Sequence, residues 1–181
     1  VGSLDNWYVQ ITTASAGIND VNGDGYTDII GQKKKDVRVL SQHGGQTVSN
    51  AVSAGTMPKG YKAAAGAMVN EDGSSDLIVQ RKDEIAYLSF SNNVMNTTPV
   101  AITKTPKASY KVVASGNINN DDYSDIIVQK GKEIGAMIGG ASNSYTFQTL
   151  IDKSKNGKVV GAVNNELICQ KGKKVYRIPL T

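Results

Sequence analysis

The sequence of 181 residues has one cysteine, one histidine and few aromatic residues, and it contains no long apolar run. The lone Cys169 excludes an internal disulfide, and the lone His43 excludes a metal centre built on several histidines. No apolar stretch approaches the ~18 residues that cross a bilayer, so we expect no transmembrane segment. With 39% hydrophobic and 20% charged residues, the composition is that of a folded domain.

What the sequence does contain is a repeat. Its marker is a polar segment of nine residues that ends in aspartate and is followed by two aliphatic residues, one further residue and glutamine. The final aspartates, Asp28, Asp76 and Asp125, lie 48 and 49 residues apart. A fourth copy has a shortened polar segment and ends at Gln170, and the order Gln-Lys-Gly-Lys follows at 129–132 and again at 170–173.

A repeat of this length fits four short strands and four turns, which is one blade of a β-propeller. We therefore predict an all-β, four-bladed β-propeller that forms a single domain over residues 1–181. The blades are expected at about 14–53, 62–103, 110–151 and 158–181 plus 5–13. In the third copy the predicted strands are 111–116, 125–129, 133–138 and 145–151, and in the fourth 158–163, 166–170 and 174–178.

The two ends of the sequence suggest how the ring closes. The last copy shows three strands, whereas the segment 7–13 reads as a strand that has no blade of its own. We expect this segment to pair with the third strand of the last copy, because closure removes open sheet edges.

The polar segments place oxygen ligands at alternate positions. In the first copy these are Asp20, Asn22, Asp24, the carbonyl of Tyr26, and Asp28. Calcium prefers six to eight such oxygens, and Gly25 permits the sharp turn that makes them converge. The glutamate of an EF-hand is missing at position twelve, which is Gly31. An Asx-rich turn that binds no metal is the alternative reading.

This arrangement resembles the FG-GAP/VCBS repeat family, to which the propellers of integrin α-chains belong. The resemblance implies a propeller whose loops hold calcium. By position it implies a second calcium site in the third copy, formed by Asn117, Asn119, Asp121, the carbonyl of Tyr123, and Asp125. The second copy has Met68 at the first ligand position, and the fourth copy lacks the loop. Integrin rings have seven longer blades, so the resemblance does not imply integrin-like partners.

Basic residues concentrate in two sets of turns. Eighteen of the twenty lysines and arginines fall between the second and third strands of a copy or between consecutive copies. Strand directions place both sets at one end of the sheets, where they would attract polyanions. The candidate ligand-binding residues are Lys33, Lys34, Lys35, Arg81, Lys82, Lys130, Lys132, Lys171, Lys173 and Lys174, together with Tyr61 and Tyr110 as rings that could stack on sugars. Solubility and edge protection for the lysines, and a packing repeat for the tyrosines, are the alternatives.

These patterns favour a binding module over an enzyme. We expect a calcium-stabilised, secreted or cell-surface domain that binds a glycan, another anionic surface polymer or a protein partner, as a monomer or as a module of a longer chain. Because no platform of alternating aromatic and basic residues is present, nucleic acid is not the expected ligand. The alternatives are a non-catalytic stability or assembly domain of a larger secreted protein and a polysaccharide-degrading enzyme.

Overall fold

The computed structural model describes residues 9–10, 20–43, 46–47, 51–70 and 72–180, and the structural statements below concern these residues. Antiparallel strands form nearly all the regular structure, and the other element is a 3-10 turn at Ala141–Asn143. The predicted all-β class is therefore confirmed. Four sheets follow one another along the chain, and each one corresponds to one copy of the repeat.

Sheet one has the order β1-β2-β3-β6, and a small hairpin of β4 and β5 projects from it. Its strands are β1 (Val9–Gln10), β2 (Ile29–Lys33), β3 (Asp36–Leu40), β4 (Gln42–His43), β5 (Gln46–Thr47) and β6 (Val52–Thr56). Sheet two has the order β7-β8-β9-β12, again with a hairpin, formed by β10 and β11. Its strands are β7 (Lys62–Ala67), β8 (Asp76–Arg81), β9 (Glu84–Leu88), β10 (Phe90–Ser91), β11 (Val94–Met95) and β12 (Val100–Lys104).

Sheets three and four repeat the same order of strands. Sheet three consists of β13 (Lys111–Gly116), β14 (Asp125–Lys130), β15 (Glu133–Gly140) and β16 (Ser144–Ile151). Sheet four consists of β17 (Lys158–Val163), β18 (Glu166–Lys171) and β19 (Lys174–Pro179). All seven strands predicted for these two copies are confirmed, with boundaries that agree to within two residues.

The first strands of the sheets lie side by side, with β13 between β7 and β17. Their approach is close: a Cβ added at Gly116 would lie 2.6 Å from the carbonyl oxygen of Ala162. A β-bulge recurs at the same register in each of these strands, after Ala63, Val112 and Val159. The small residues of these strands therefore let neighbouring backbones meet.

The hydrophobic core lies between consecutive sheets. Three clusters of buried side chains join sheet one to sheet two, sheet two to sheet three, and sheet three to sheet four. The second strand of a sheet contributes to both sides, so Leu77, Ile78 and Val79 are fully buried although they alternate in direction. Cys169 occupies the matching place in sheet four and is also buried, as its alignment with Val79 predicts.

One part of the predicted architecture is wrong. Val9 and Gln10 pair with Gln32 and Gly31 of β2, and not with β19 of the last sheet. The strand register explains this pairing. Val9 pairs with Gln32 as Lys62, in the first strand of sheet two, pairs with Gln80. The segment is thus the inner strand of its own sheet, and pairing with a strand nearby in the sequence has the lower entropic cost of loop closure.

Ring closure stays a prediction. Within the described ranges no buried cluster joins sheet four to sheet one. The first blade was predicted to begin at about residue 14, and residues 14–19 lie outside the described residues.

Candidate functional site

The four sheets have two chemically different ends. At one end, turns β2–β3, β8–β9 and β14–β15 meet the connections that lead to the next sheet. A hydrogen bond repeats there, from Met57 N to Lys35 O at 2.7 Å, from Thr105 N to Asp83 O at 2.7 Å and from Ser154 N to Lys132 O at 2.8 Å. We call this the basic end, because the turns and connections carry the lysines as predicted. The opposite end carries the three polar loops at 20–28, 68–76 and 117–125.

Most candidate cations of the basic end are exposed. The exposed set is Lys33, Lys34, Lys35, Arg81, Lys82, Lys132, Lys171, Lys173 and Lys174, whereas Lys130 is half-buried. Arg81 is already engaged, because its guanidinium contacts Glu84 at 2.9 Å and stacks 4.6 Å from the centre of the Tyr61 ring. In the described part of the chain no lysine forms an ion pair with an acidic side chain.

Tyr61 and Tyr110 are buried rather than displayed. Only 8% and 3% of their surfaces are exposed, and their hydroxyl groups donate hydrogen bonds to Glu84 and Glu133. Burial, followed by the bond to Glu133, raises the pKa of Tyr110 to about 12. Both rings pack within the sheets here, so stacking on a sugar would require them to be uncovered.

A cavity of about 280 Å³ opens at the basic end, between sheets two and three. Its lining residues are Gly60, Lys62, Ala63, Ala64, Gln80, Lys82, Lys111 and Val112. Three of these residues are lysines, and none of the lining residues that the structure describes is acidic. Lys82 is among the predicted ligand-binding residues, while Lys62 and Lys111 belong to the lysines of the connections; that these three share one cavity could not be read from the sequence.

At the opposite end, the first polar loop is organised by its own side chains. The Asp20 carboxylate accepts hydrogen bonds from the backbone of Gly23 (2.7 Å), Asp24 (3.1 Å) and Gly25 (2.7 Å). Asn22 accepts from Asp24 N, and Asp24 accepts from Tyr26 N, both at 2.9 Å. Gly25 has a φ of +84°, which the turn requires and which side chains disfavour.

The final aspartate of each loop has a different environment. Asp28, Asp76 and Asp125 are fully buried, and each accepts a backbone N–H from the start of its own loop. Asp28 also accepts from Gln42 N, just beyond β3, at 3.2 Å, and Asp125 accepts from Gly139 N, near the end of β15, at 2.9 Å. These carboxylates therefore tie the loop to the sheet, a role that alternate spacing alone does not reveal.

Asp76 differs from its two counterparts in the hydrogen bonding of one oxygen. Its Oδ2 accepts from Val69 N at 2.9 Å and Asn70 N at 3.3 Å, whereas its buried Oδ1 has no hydrogen-bond partner among the described residues. Burial raises the pKa of Asp76 to about 7. It also raises the pKa of Asp28 and of Asp125, and nearby loop aspartates add to the shift in both.

The third loop repeats the pattern with more amides. Asn117 Oδ1 accepts from Asn120 N at 2.8 Å, and its amide group donates to the Asp121 carbonyl. Asn119 donates to the Asp121 carboxylate at 2.7 Å, and that carboxylate also accepts from Tyr123 N at 2.8 Å. The candidate ligands therefore lie in one loop, as predicted, although they bond to each other and to the backbone.

The calcium prediction can be set against these donors. The first loop offers carboxylate, amide and carbonyl oxygens, the kind of donor that calcium prefers. Burial raises the pKa of Asp28, and repulsion from Asp24 and Asp20, which a cation would relieve, adds to the shift. Within the described residues, however, no three acidic, histidine or cysteine side chains are grouped as they would be around a metal ion. The residues fit calcium by donor type and loop conformation, and the site itself stays a prediction.

The glutamine of the repeat joins neighbouring sheets, a function that the sequence reasoning missed. Gln80 donates to Lys82 O and to Tyr110 O, both at 2.8 Å, and accepts from Val112 N at 3.1 Å. Gln129 makes the same three bonds, to Gly131 O, Gly157 O and Val159 N. Gln32 binds Lys34 O and accepts from Ala63 N. We call this arrangement the glutamine clasp. Its recurrence was visible in the sequence, but its partners lie in the next sheet.

No protein-family model matches the chain, and no curated protein matches it either. The described residues also contain no helix that is long and apolar enough to cross a membrane.

Proposed function

We propose that this chain forms four blades of a β-propeller and acts as a binding module for an anionic polymer, such as an acidic or sulfated glycan, on its basic end. The observation that carries the proposal is the cavity lined by Lys62, Lys82 and Lys111. These three lysines form no ion pair with any described acidic residue, so they favour a ligand carrying carboxylate or sulfate groups. Because the turn lysines lie at the same end, a polymeric ligand that extends out of the cavity meets further positive charge.

Lysine suits this kind of ligand. An ammonium group is a point charge on a flexible stem, so it attracts anions without imposing the planar geometry of a guanidinium. We therefore expect binding that depends on salt and that discriminates among polyanions mainly through the size of the group that enters the cavity.

Calcium has a structural role in this proposal. Asp20, Asn22, Asp24, Asp28 and the Tyr26 carbonyl would hold one ion, and the corresponding residues of loop 117–125 a second. The ion would neutralise clustered carboxylates at the loop end and thereby fix the start of the second strand. Calcium sites of extracellular modules bind at about 10⁻⁴–10⁻³ M, so such loops fit a secreted or cell-surface location.

Heparin chromatography with matched variants tests the proposal. The first variant carries Lys62→Gln, Lys82→Gln and Lys111→Gln, and the control carries Lys171→Gln, Lys173→Gln and Lys174→Gln. Both lose three charges, but only the first set lines the cavity. We expect the first variant to elute at clearly lower salt than the control, while both keep the melting midpoint of the wild type.

Two results would contradict the proposal in different ways. A wild-type chain that passes unretained at low salt would show that the basic end is only a solvated surface. Equal losses for the two variants would show diffuse attraction, with no part for the cavity.

A further inference from the structure

The outer face of sheet four has the same kinds of residue as the faces that sheets one to three bury against the next sheet, but no sheet covers it in the described structure. In each sheet the clasp glutamine pairs with an aliphatic residue of the third strand. These residues are, in sheets one to four respectively, Val37, Ile85, Ile134 and Val175. The first three are 0% exposed beneath the following sheet, whereas Val175 is 64% exposed.

Neighbouring positions show the same contrast. Ile168 of β18 corresponds to Ile127 of β14, which is fully buried against sheet four, yet Ile168 is only half-buried. Val160 lies in the bulge of β17 and is 46% exposed, whereas Val113, at the same place in sheet three, is partly buried and packs against the core. Sheet four therefore exposes an aliphatic face that its three predecessors bury.

The clasp is half-formed on this face. Gln170 donates to Gly172 O at 3.1 Å, as its counterparts do to their own turns. Among the described residues no backbone N–H reaches its Oε1, whereas Gln32, Gln80 and Gln129 each accept one from the next sheet. The side chain of Gln170 is exposed and ready to accept such a bond.

Sheet one carries the complementary group. By register, Gln10 of β1 occupies the place of Ala63 and Val112, whose N–H groups complete the clasps of the preceding sheets. Charge does not oppose the match, because Arg38 on sheet one is paired with Asp36 at 3.3 Å and Arg177 on sheet four is bonded to Glu166 at 2.6 Å.

We propose that, in place of closure within one chain, the outer face of sheet four docks sheet one of a second copy of this chain, with Gln170 Oε1 accepting the N–H of Gln10. The contact repeats between molecules the interface that occurs three times within one molecule. It is heterologous, so copies join end to end. An assembly of this kind presents several basic ends side by side and would bind a polymeric anion more tightly through multivalency.

Light scattering coupled to gel filtration, with the full chain across the micromolar range, tests the contact. We expect the mass to rise with concentration from 19.2 kDa to that of two or more copies. Val175→Asp should leave the chain monomeric, because it places a charge on the buried face and raises the dissociation constant at least about tenfold to hundredfold. Gln170→Ala should weaken association in the same direction.

Val94→Asp is the matched control, because Val94 is 63% exposed but lies on the β10–β11 hairpin. It should associate like the wild type. A wild type that stays monomeric at every concentration overturns the proposal and favours closure within one chain. Equal effects of Val94→Asp and Val175→Asp overturn it as well. Circular dichroism melts of each variant confirm that a monomer is folded.

Discussion

Gln80→Ala offers the sharpest test of how the sheets are joined. The substitution removes three hydrogen bonds and leaves two buried groups of sheet three, the N–H of Val112 and the carbonyl of Tyr110, without partners. An orphaned buried group costs about 1–3 kcal/mol. Because Gln80 lines the lysine cavity, water can reach part of this site, so we expect a loss of about 2–4 kcal/mol in the free energy of unfolding.

Urea unfolding measures this loss, and Gln170→Ala is the control. The two glutamines are equivalent in the repeat, but Gln170 is exposed and makes one bond, to its own turn. Both changes are made in the Val175→Asp chain, so that association between copies does not contribute. With a slope of about 2 kcal/mol per molar urea, Gln80→Ala should lower the midpoint by about 1–2 M. The control should change the free energy by less than about 0.5 kcal/mol. Losses of equal size would refute the clasp.

Three further predictions concern the loops and the inner strands. Millimolar calcium should raise the melting midpoint relative to EDTA, because an ion that binds only the folded state stabilises it by about 2.7 kcal/mol at a hundredfold excess over Kd. Asp24→Ala should remove most of this shift, whereas Asp72→Ala, in the loop that begins with Met68, should preserve it. No shift in the wild type would contradict a calcium site. Burial raises the pKa of Asp76 in the folded state to about 7, above its ordinary 3.8. The stability that the protonated carboxyl contributes is therefore full below pH ~4 and is lost as the pH rises through ~7, by about 1.4 kcal/mol per pH unit. Asp76→Asn should flatten this part of the pH dependence of the urea midpoint, and an unchanged slope would refute the prediction. Gly116→Ala should destabilise the fold by about 1–3 kcal/mol, because the new Cβ would lie 2.6 Å from the carbonyl oxygen of Ala162. Gly161→Ala should be nearly neutral in the same unfolding assay, because its new Cβ would lie 3.7 Å from its nearest neighbour, Ile168 Cβ.

Local signals in the sequence were sufficient for the strands. The runs 111–116 and 158–163 are short, apolar and bounded by turn residues, and both form strands with the predicted boundaries. Cys169 could be assigned to the core because it takes the place of Val79 and Val128 in the repeat. These inferences need only the period of the pattern and the alignment of copies.

Pairings between distant segments were harder to predict. We expected the segment 7–13 to complete the last sheet, but Val9 and Gln10 pair with Gln32 and Gly31 of β2. Alternate oxygens suggested that Asp28 and Asp125 are metal ligands, and the sequence alone could not show that both are buried and bonded to backbone N–H groups from two directions. The clasp and the lysine cavity each require two neighbouring sheets, so neither appears in a single copy.

An NMR titration of the ¹⁵N-labelled chain with a heparin oligosaccharide at low salt tests the claim that the basic end binds a polyanion. We expect the amide shifts to concentrate at Gly60, Lys82 and Gly131, in the turns and connections of the basic end, and to diminish as salt is added. The amides of Gly25 and Gly73, in the opposite loops, should remain unchanged. Shifts centred on those loop glycines, or no shifts at all, would contradict the claim.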